Sequence, residues 1–536
     1  MLSEDHISRW MAELDRLDAD ENFEAIVQSV RSMLELAPKD RNVMAVSSAR
    51  LIDAGACLGD IAVVSEGRSV VEAILTRPSG RKETGATHQY NLSNAFAAEY
   101  HIYQREGEAE KARESLLSQR RLLQELLLRE RTLPTDLRIK VHTNCANALD
   151  ETGRSVEAID HFVAAWRLNP AHMLAKGNCG FTLTRLAPVS GARGRHNLDA
   201  GIALLEEACA APQNILAYAP PSAVANLVEK RDKARAKVER LIKNGLHGLE
   251  AWRTHRREVH GQPPAPAWLA RIVGDRLLLS LNQFPLASEQ EALDDLFFAT
   301  LSSGSDSASE EWALGLIYVL NAIKEEFAVA RYLYYQAIDS QSEDTTARSK
   351  VTTYADAGTF AEFGLAVGLL KAGFRTSIDI LDKIAFFLNA YMKLGLGERQ
   401  VSFGTVWYRH GDRTKGEHPT VQDSRKRNIW LRALSDLRDD WFADRFPGPF
   451  RDLRNIGTHR GLVLFSTTEE GAADGIRTID DHAIEALLML RSVKAAIEYL
   501  VLFTNAEEKE RMATAKKEGR MLTRPLNLRP GRSESK

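Results

Sequence analysis

The stretch IKVHTNCANALDETGRSVEAIDHFVAAWRLNPAH, residues 139–172, decides the architecture of the chain. Ala146 is small where two paired helices have to approach, Gly153 falls at a turn, and Pro170 closes the segment. Ala158, Phe162 and Ala165 recur at spacings of three and four, which places them on one face of a helix. The pattern reads as helix, tight turn, helix, stop. A looser copy follows: Gly180 opens it, PVSGARGRHN (188–197) lengthens its turn, and LDAGIALLEEACAAP (198–212) sets Gly201, Leu205, Ala208 and Pro212 at the same spacings. Upstream, ENFEAIVQSVRSMLELAPKD (21–40) reads as the second helix of an earlier unit closed by Pro38. YNLSNAFAAEYHIYQREGEAEKARESLLSQRRLLQELL (90–127) reads as another helix pair around Gly107.

On those residues the N-terminal part resembles tetratricopeptide (TPR) repeats, which implies an α-solenoid over residues 1–215. One helix pair cannot cover its own apolar face, so such units have to stack. The stack offers a concave groove for a peptide or a partner protein, or else serves only as a scaffold against the rest of the chain. Residues 216–350 carry no recognisable motif and are expected to be helical, as degenerate repeats or otherwise. VEKRDKARAKVERLIKNGLHGLEAWRTHRREVHG (228–261) reads as a charged helix. QPPAPA (262–267) stops it by removing backbone donors and fixing φ. EEWALGLIYVLNAIKEEFAVARYLYYQAID (310–339) is helical again.

The chain has 536 residues, 44% hydrophobic and 27% charged, the balance of an ordinary multidomain globular protein. Its net charge of -3 gives no global field for nucleic acid, so local charge has to be weighed instead. Cys57, Cys145, Cys179 and Cys209 form no C-x-x-C pair, and no histidines cluster at ligand spacing. Neither a disulfide framework nor a metal site is expected, and a reducing, cytoplasmic setting fits. The N-terminus is charged and has no apolar leader segment. The most apolar C-terminal stretches are broken by Lys371, Arg375 and Lys383 and by Arg491 and Lys494, so no membrane span is expected. A Walker A loop, a G-x-G-x-x-G and an H-E-x-x-H are all absent from the sequence, and no cofactor is expected.

From about residue 351 the periodicity lengthens. YADAGTFAEFGLAVGLLKAG (354–373) and TSIDILDKIAFFLNAYMKLG (376–395) read as two helices, the second with Ile378, Leu381, Ala385 and Leu388 on one stripe. A polar loop (402–428) comes next, then a helix NIWLRALSDLRDDWF (428–442), then PGPFRDLRNIGTHRGLVLF (447–465) with prolines before a helix start. DDHAIEALLMLRSVKAAIEYLVLF (480–503) closes the set. The expected fold class is all-α: a TPR-like α-solenoid followed by a small helical bundle over 351–505. Residues 506–536 form a basic tail without apolar periodicity, expected to be disordered.

Within the bundle the segment Arg454-Asn455-Ile456-Gly457-Thr458-His459-Arg460 stands out. The bare spacing Arg-x4-His occurs four times, and context selects among them. Arg167/His172 straddles Pro170, Arg413/His418 lies in a glycine-containing polar loop, and Arg477/His482 crosses a helix start. Only Arg454/His459 combines an Arg-Asn step, a helix, and the preceding helices in order. That segment resembles the signature of HEPN domains, an Arg and a polar residue followed at short spacing by His. SIDILDKIAFFLNAYMKLG (377–395) with VSFGTVWY (401–408) is similar to one prokaryotic HEPN subfamily, so the resemblance spans roughly 360–503. It implies a metal-independent endoribonuclease without cofactors, dimerising through this domain and acting as a toxin or antiviral effector, with the repeats sensing a trigger or binding a partner. Some members of the family bind RNA or protein without cutting, which leaves a catalytically silent adaptor as the other implied role.

RNA cleavage by its own 2′-OH needs a base for that proton and positive charge on the phosphorane-like transition state. An imidazole suits proton transfer near neutral pH, and neighbouring Arg454 and Arg460 favour the neutral, basic form of His459. Arg454 offers planar, permanently charged donors matched to phosphate oxygens. On a regular helix Arg454 and His459 lie about 140° apart, whereas Asn455 and His459 share a face. Either Arg454 wraps round, helped by Gly457, or two copies of the motif meet across a dimer. Asn455 would orient the phosphate or the imidazole, and Asp379 or Asp382 is placed by helix order to hold the Arg or the His. Residues 399–460 contain thirteen Lys/Arg against eight Asp/Glu, a local excess of five positive charges. Arg425, Lys426, Arg427 and Arg451 are the expected RNA contacts within it. Trp407, Tyr408 and Trp430 either stack on bases or pack into the core.

Overall fold

The computed structural model describes residues 3–76, 82–191, 194–216, 221–243, 266–283, 292–299, 301, 307–340, 352, 361–442, 463–465 and 478–518. Helix dominates among them, as the periodicities require. The chain divides into two units, one of residues 1–151 with 161–175, the other of 152–160 with 176–536.

The first unit opens with α1 (Glu4–Ala19), α2 (Phe23–Leu36), α3 (Arg41–Leu58) and α4 (Ile61–Leu75). Their N-termini are capped by Ser3, Asn22, Asp40 and Asp60, each side chain accepting from a backbone N–H of the first turn. Those are the short oxygen-bearing residues that satisfy the orphan donors of a helix start. Trp10, Leu14, Ile26, Val30, Val43 and Leu51 form one core layer; Ile52, Val64, Val71, Ala95 and Ile102 form the next. α5 (Lys82–Glu106) and α6 (Ala109–Leu127) pair around Gly107, whose φ of 78° a side chain would strain. α7 (Thr135–Glu151) and α8 (Ser155–Leu168) are the two helices of the 139–172 segment, with Gly153 in the turn at φ 87°. Ala146, Ala158, Phe162 and Ala165 are all buried. The division between the units runs through α8, which leaves Thr152–Asp160 in the second.

In the second unit α9 (Met173–Leu186, from Lys176 onward) meets α10 (Gly194–Ala210) at Gly180 and Gly201. A Cβ on Gly180 would lie 2.5 Å from the Gly201 carbonyl oxygen, and one on Gly201 2.6 Å from that of Gly180. Glycine is required there because backbone meets backbone. α11 (Pro212–Leu216), α12 (Pro221–Lys243) and α13 (Ala267–Gly274) follow, and residues 244–265 of the charged, proline-ended stretch lie outside the described residues. The bundle itself comprises α14 (Ser307–Asp339), α15 (Leu365–Tyr391), α16 (Pro419–Arg427), α17 (Ile429–Phe442) and α18 (Ile479–Lys517). α14 packs on α15, and α15 and α17 pack on α18. Two short strands, β1 (Ala361–Glu362) and β2 (Leu464–Phe465), pair antiparallel.

Three expectations are corrected. Of the two helices expected over 354–373 and 376–395, residues 354–360 lie outside the described residues, and the rest form one helix, α15, preceded by β1. Gly373 does not break it; a Cβ there would lie 3.1 Å from the Ala330 carbonyl oxygen, so this glycine brings α15 close to α14. The polar loop expected over 402–428 contains short 3-10 turns and then α16, with Pro419 at its first turn. The tail does not begin at 506: α18 continues to Lys517, because Glu508 is fully buried, accepting from the Tyr391 hydroxyl at 2.8 Å and pairing with Arg511 at 2.9 Å. Residues 519–536 lie outside the described residues.

Candidate functional site

α17 is the helix that precedes the Arg454–His459 segment. The chain leaves it at Phe442 and is next described at Val463, beside β2. Arg451, Arg454, Asn455, His459 and Arg460 lie outside the described residues. α17 is buried on nearly every side; Leu431, Ala433, Leu434, Ser435, Asp436, Leu437, Arg438 and Asp440 are all core residues. Asn428 caps it, its side-chain oxygen accepting from Trp430 N at 3.1 Å while its amide donates to Glu507 at 2.9 Å and to the Phe503 carbonyl at 3.3 Å, both on α18.

A helix that buries Asp436 and Asp440 four residues apart needs a cation facing them. Arg154 supplies it. The side chain is 3% exposed and its Nη1 donates to Asp436 at 3.3 Å and, more closely, to Asp440. Its other edge grips Glu157, with Nε donating at 2.7 Å and Nη2 at 2.5 Å. Burial disfavours the guanidinium charge, but Asp440, Glu157 and Asp436 more than offset it and hold the group firmly protonated. The Tyr499 hydroxyl of α18 donates to Glu157 at 3.2 Å. Gly153 brings the turn within reach, since a Cβ would sit 2.6 Å from Ile429 Cγ1 at the start of α17.

A second buried cluster lies along α18. Lys494 pairs with Glu498 at 3.3 Å, and Gln283 donates to the same carboxylate at 2.9 Å. Burial pushes the Glu498 carboxyl up to about 7, against the pull of Lys494 and Gln283. Asp160 pairs with Arg276; burial raises its pKa, but Arg276, Lys494 and Arg491 outweigh that and leave it lowered.

The remaining residues named from sequence are dispersed. Asp382 is half-buried on α15, and its Oδ1 accepts from Phe403 N at 2.8 Å, bracing the loop that follows. Asp379 is exposed on the same helix; desolvation raises its pKa against the opposing pull of Arg375 and Lys383. Arg425 is tied inward, pairing with Glu417 at 3.0 Å and donating to Ser435 at 3.3 Å. Lys426 is exposed, and Arg427 lies 3.4 Å from Glu510. Trp407 and Trp430 are buried, so these two rings pack rather than stack on bases, while Tyr408 is half-buried. Arg154 and Arg438 were missed in the sequence. The available signal was the pair Asp436 and Asp440, four residues apart among Leu431, Leu434 and Leu437.

Residues 313–507 match the family model described as LA2681-like HEPN. That match supports a HEPN module in the C-terminal part of the chain. It takes in α14, which the sequence reading assigned to the preceding region, and runs into α18. No curated protein matches the chain.

Proposed function

We propose that the matched module is a metal-independent endoribonuclease. His459 takes the proton of the 2′-OH as its oxygen bonds to phosphorus and the P–O5′ bond breaks, leaving a 2′,3′-cyclic phosphate and a 5′-oxygen that takes a proton from solvent. Arg454 binds the phosphate and its developing charge, and Asn455 orients the phosphate or the imidazole. The observation that carries this reading is that the Arg454-Asn455…His459 segment lies inside the matched residues 313–507, C-terminal to α17 in the chain. α17 itself is gripped at its N-terminus by α18 and near its C-terminus by Arg154. The module is expected to dimerise, bringing two copies of the motif to one cleft, and to act as a toxin or antiviral effector. The TPR-like units of the first part would then sense a trigger or hold a partner.

The deciding experiment incubates the full chain with total RNA in EDTA, beside a His459→Ala variant whose melting curve matches wild type. Cleavage by wild type and a loss of roughly 10²–10⁴-fold in the variant are expected. Equal cleavage by both would remove His459 from the mechanism. A wild type that binds RNA without cutting it under any condition tried would favour the adaptor.

A further inference from the structure

The loop between α15 and α16 is built as a rigid hairpin. Tyr408 and Glu417 form an antiparallel bridge, Arg409 N donates to the Gly416 carbonyl at 3.0 Å, and His418 N donates to that of Trp407 at 2.9 Å. Its base is anchored in the core. The Trp407 ring is buried against Phe403 and donates to the Phe403 carbonyl at 2.6 Å. Arg438 of α17 donates to the Tyr408 hydroxyl at 2.9 Å and lies over both rings, 5.4 Å from the centroid of Trp407 and 5.2 Å from that of Tyr408. Glu417 is held by Arg425 at 3.0 Å.

The tip is shaped by residues in the left-handed region. His410, Gly411 and Gly416 have φ of 54°, 67° and 76°. A Cβ on Gly411 would lie 2.6 Å from the Gln400 carbonyl oxygen, so the tip sits against the turn Glu398–Gln400 that carries Arg399. Asp412 spends one carboxylate oxygen on Thr414, accepting from its N–H at 2.9 Å and its hydroxyl at 2.8 Å. Arg399, Arg409, His410, Arg413 and Lys415 are all exposed. Among the described residues Arg399, Arg409 and Lys415 have no ion-pair partner. Polar groups at the hairpin's base are paired, while among the described residues the tip's cations outnumber the neighbouring acids Glu398 and Asp412, and Arg413 lies 6.0 Å from the centroid of the Tyr408 ring. Crowding like charges on a braced tip is unfavourable unless a polyanion neutralises them.

We propose that this tip is the surface on which the sugar–phosphate backbone of RNA lies, with Arg399, Arg409, Arg413 and Lys415 meeting successive phosphates. The assignment rests on the ribonuclease reading for its choice of polyanion, and it moves the contact surface away from the inward-tied Arg425. Arginine predominates at the tip, and its planar donors suit phosphate oxygens. The hairpin lies within the matched HEPN residues.

Binding of the full chain to a 2′-O-methyl RNA oligonucleotide, which cannot be cut through its 2′-OH, tests this separately from catalysis. Fluorescence anisotropy over a salt series compares three proteins. They are wild type, R399Q/R409Q/R413Q/K415Q, and a control with equal charge removed from the first unit, R16Q/K111Q/R121Q/K140Q. The hairpin variant should bind at least about tenfold more weakly, with the slope of log affinity on log salt shallower by roughly 3. The control should stay near wild type. Equal losses in both variants, or none in the hairpin variant, would overturn the proposal whether or not the protein cuts RNA. It would also fail if wild type ignored RNA and bound polyglutamate through these residues, since that would make the tip a protein-docking surface. His459→Ala should bind this RNA like wild type, so a failure of catalysis and a failure of the tip read out apart.

Discussion

The tip of the 407–418 hairpin and the end of α17 are both rich in Arg and Asp, and in the sequence they merge into one basic field. In the folded chain they are opposites. Arg409, Arg413 and Lys415 stand in solvent, whereas Asp436, Arg438 and Asp440 are no more than 6% exposed and knit to Arg154, Asp439 and Tyr408. What separates them is the neighbourhood of each charge. Around the tip the flanking residues are Gly411, Thr414 and Gly416, which make turns and leave side chains outward. Around Asp436 they are Leu434, Leu437, Trp430 and Leu431, and a helix face packed with such residues buries whatever charge it carries. A local charge count therefore overstates the surface field wherever charges alternate with large apolar residues in a helix.

The sharpest way to break this contrast is Arg154→Met. It leaves Asp436, Asp440 and Glu157 facing one another in the core, and a loss of about 3–5 kcal/mol in urea unfolding is expected. Adding Asp436→Asn and Asp440→Asn should recover much of that loss, because the buried charge is then relieved from both sides. A single variant within about 0.5 kcal/mol of wild type would mean that these carboxylates reach water and the contrast is false.

The second test uses pH. The folded pKa of Glu498, about 7, lies above its ordinary 4.5, so the folded protein holds this proton more tightly than the unfolded chain does. The associated stability is complete below the ordinary value and is lost as pH rises through about 7, by at most about 3 kcal/mol. Glu498→Gln should remove that decline between pH 5 and pH 8 while keeping a partner for Gln283. An unchanged slope in the variant would mean that Lys494 keeps Glu498 ionised throughout.

Gly153→Ala comes next in size. Its φ of 87° and the 2.6 Å approach to Ile429 both oppose a Cβ, and a loss of roughly 1–3 kcal/mol is expected by thermal or urea melting. Gly107→Ala at φ 78° meets nothing within 4 Å and is the control, carrying the backbone cost alone.

Much of the fold was legible because it rests on local periodicity. The helix pairs around Gly107 and Gly153, the small residues Ala146 and Ala158, and the helices α14 and α17 stand close to where apolar spacing and the turn residues put them. The resemblance to HEPN domains rested instead on the Arg454-Asn455…His459 motif and the stretches before it, and a HEPN module is supported by the match over 313–507. What escaped depends on distant partners. Arg154 reaches a residue 282 positions away, and no pattern around residue 154 announces it. Gly373 looks like a breaker until Ala330 is placed against it, and α18 looks finished at Phe503 until Tyr391 is found waiting for Glu508.

The smallest expected effect is the most discriminating. If the tip is solvated, removing Arg399, Arg409, Arg413 and Lys415 together should change unfolding free energy by no more than about 0.5 kcal/mol, and relief of their mutual repulsion makes a slight gain the favoured sign. The gain should shrink as salt is added, since screening already does part of the same work. A loss of more than about 1 kcal/mol would mean that these cations hold the hairpin together, and the tip would then belong with Arg154 among the charges that stabilise the fold.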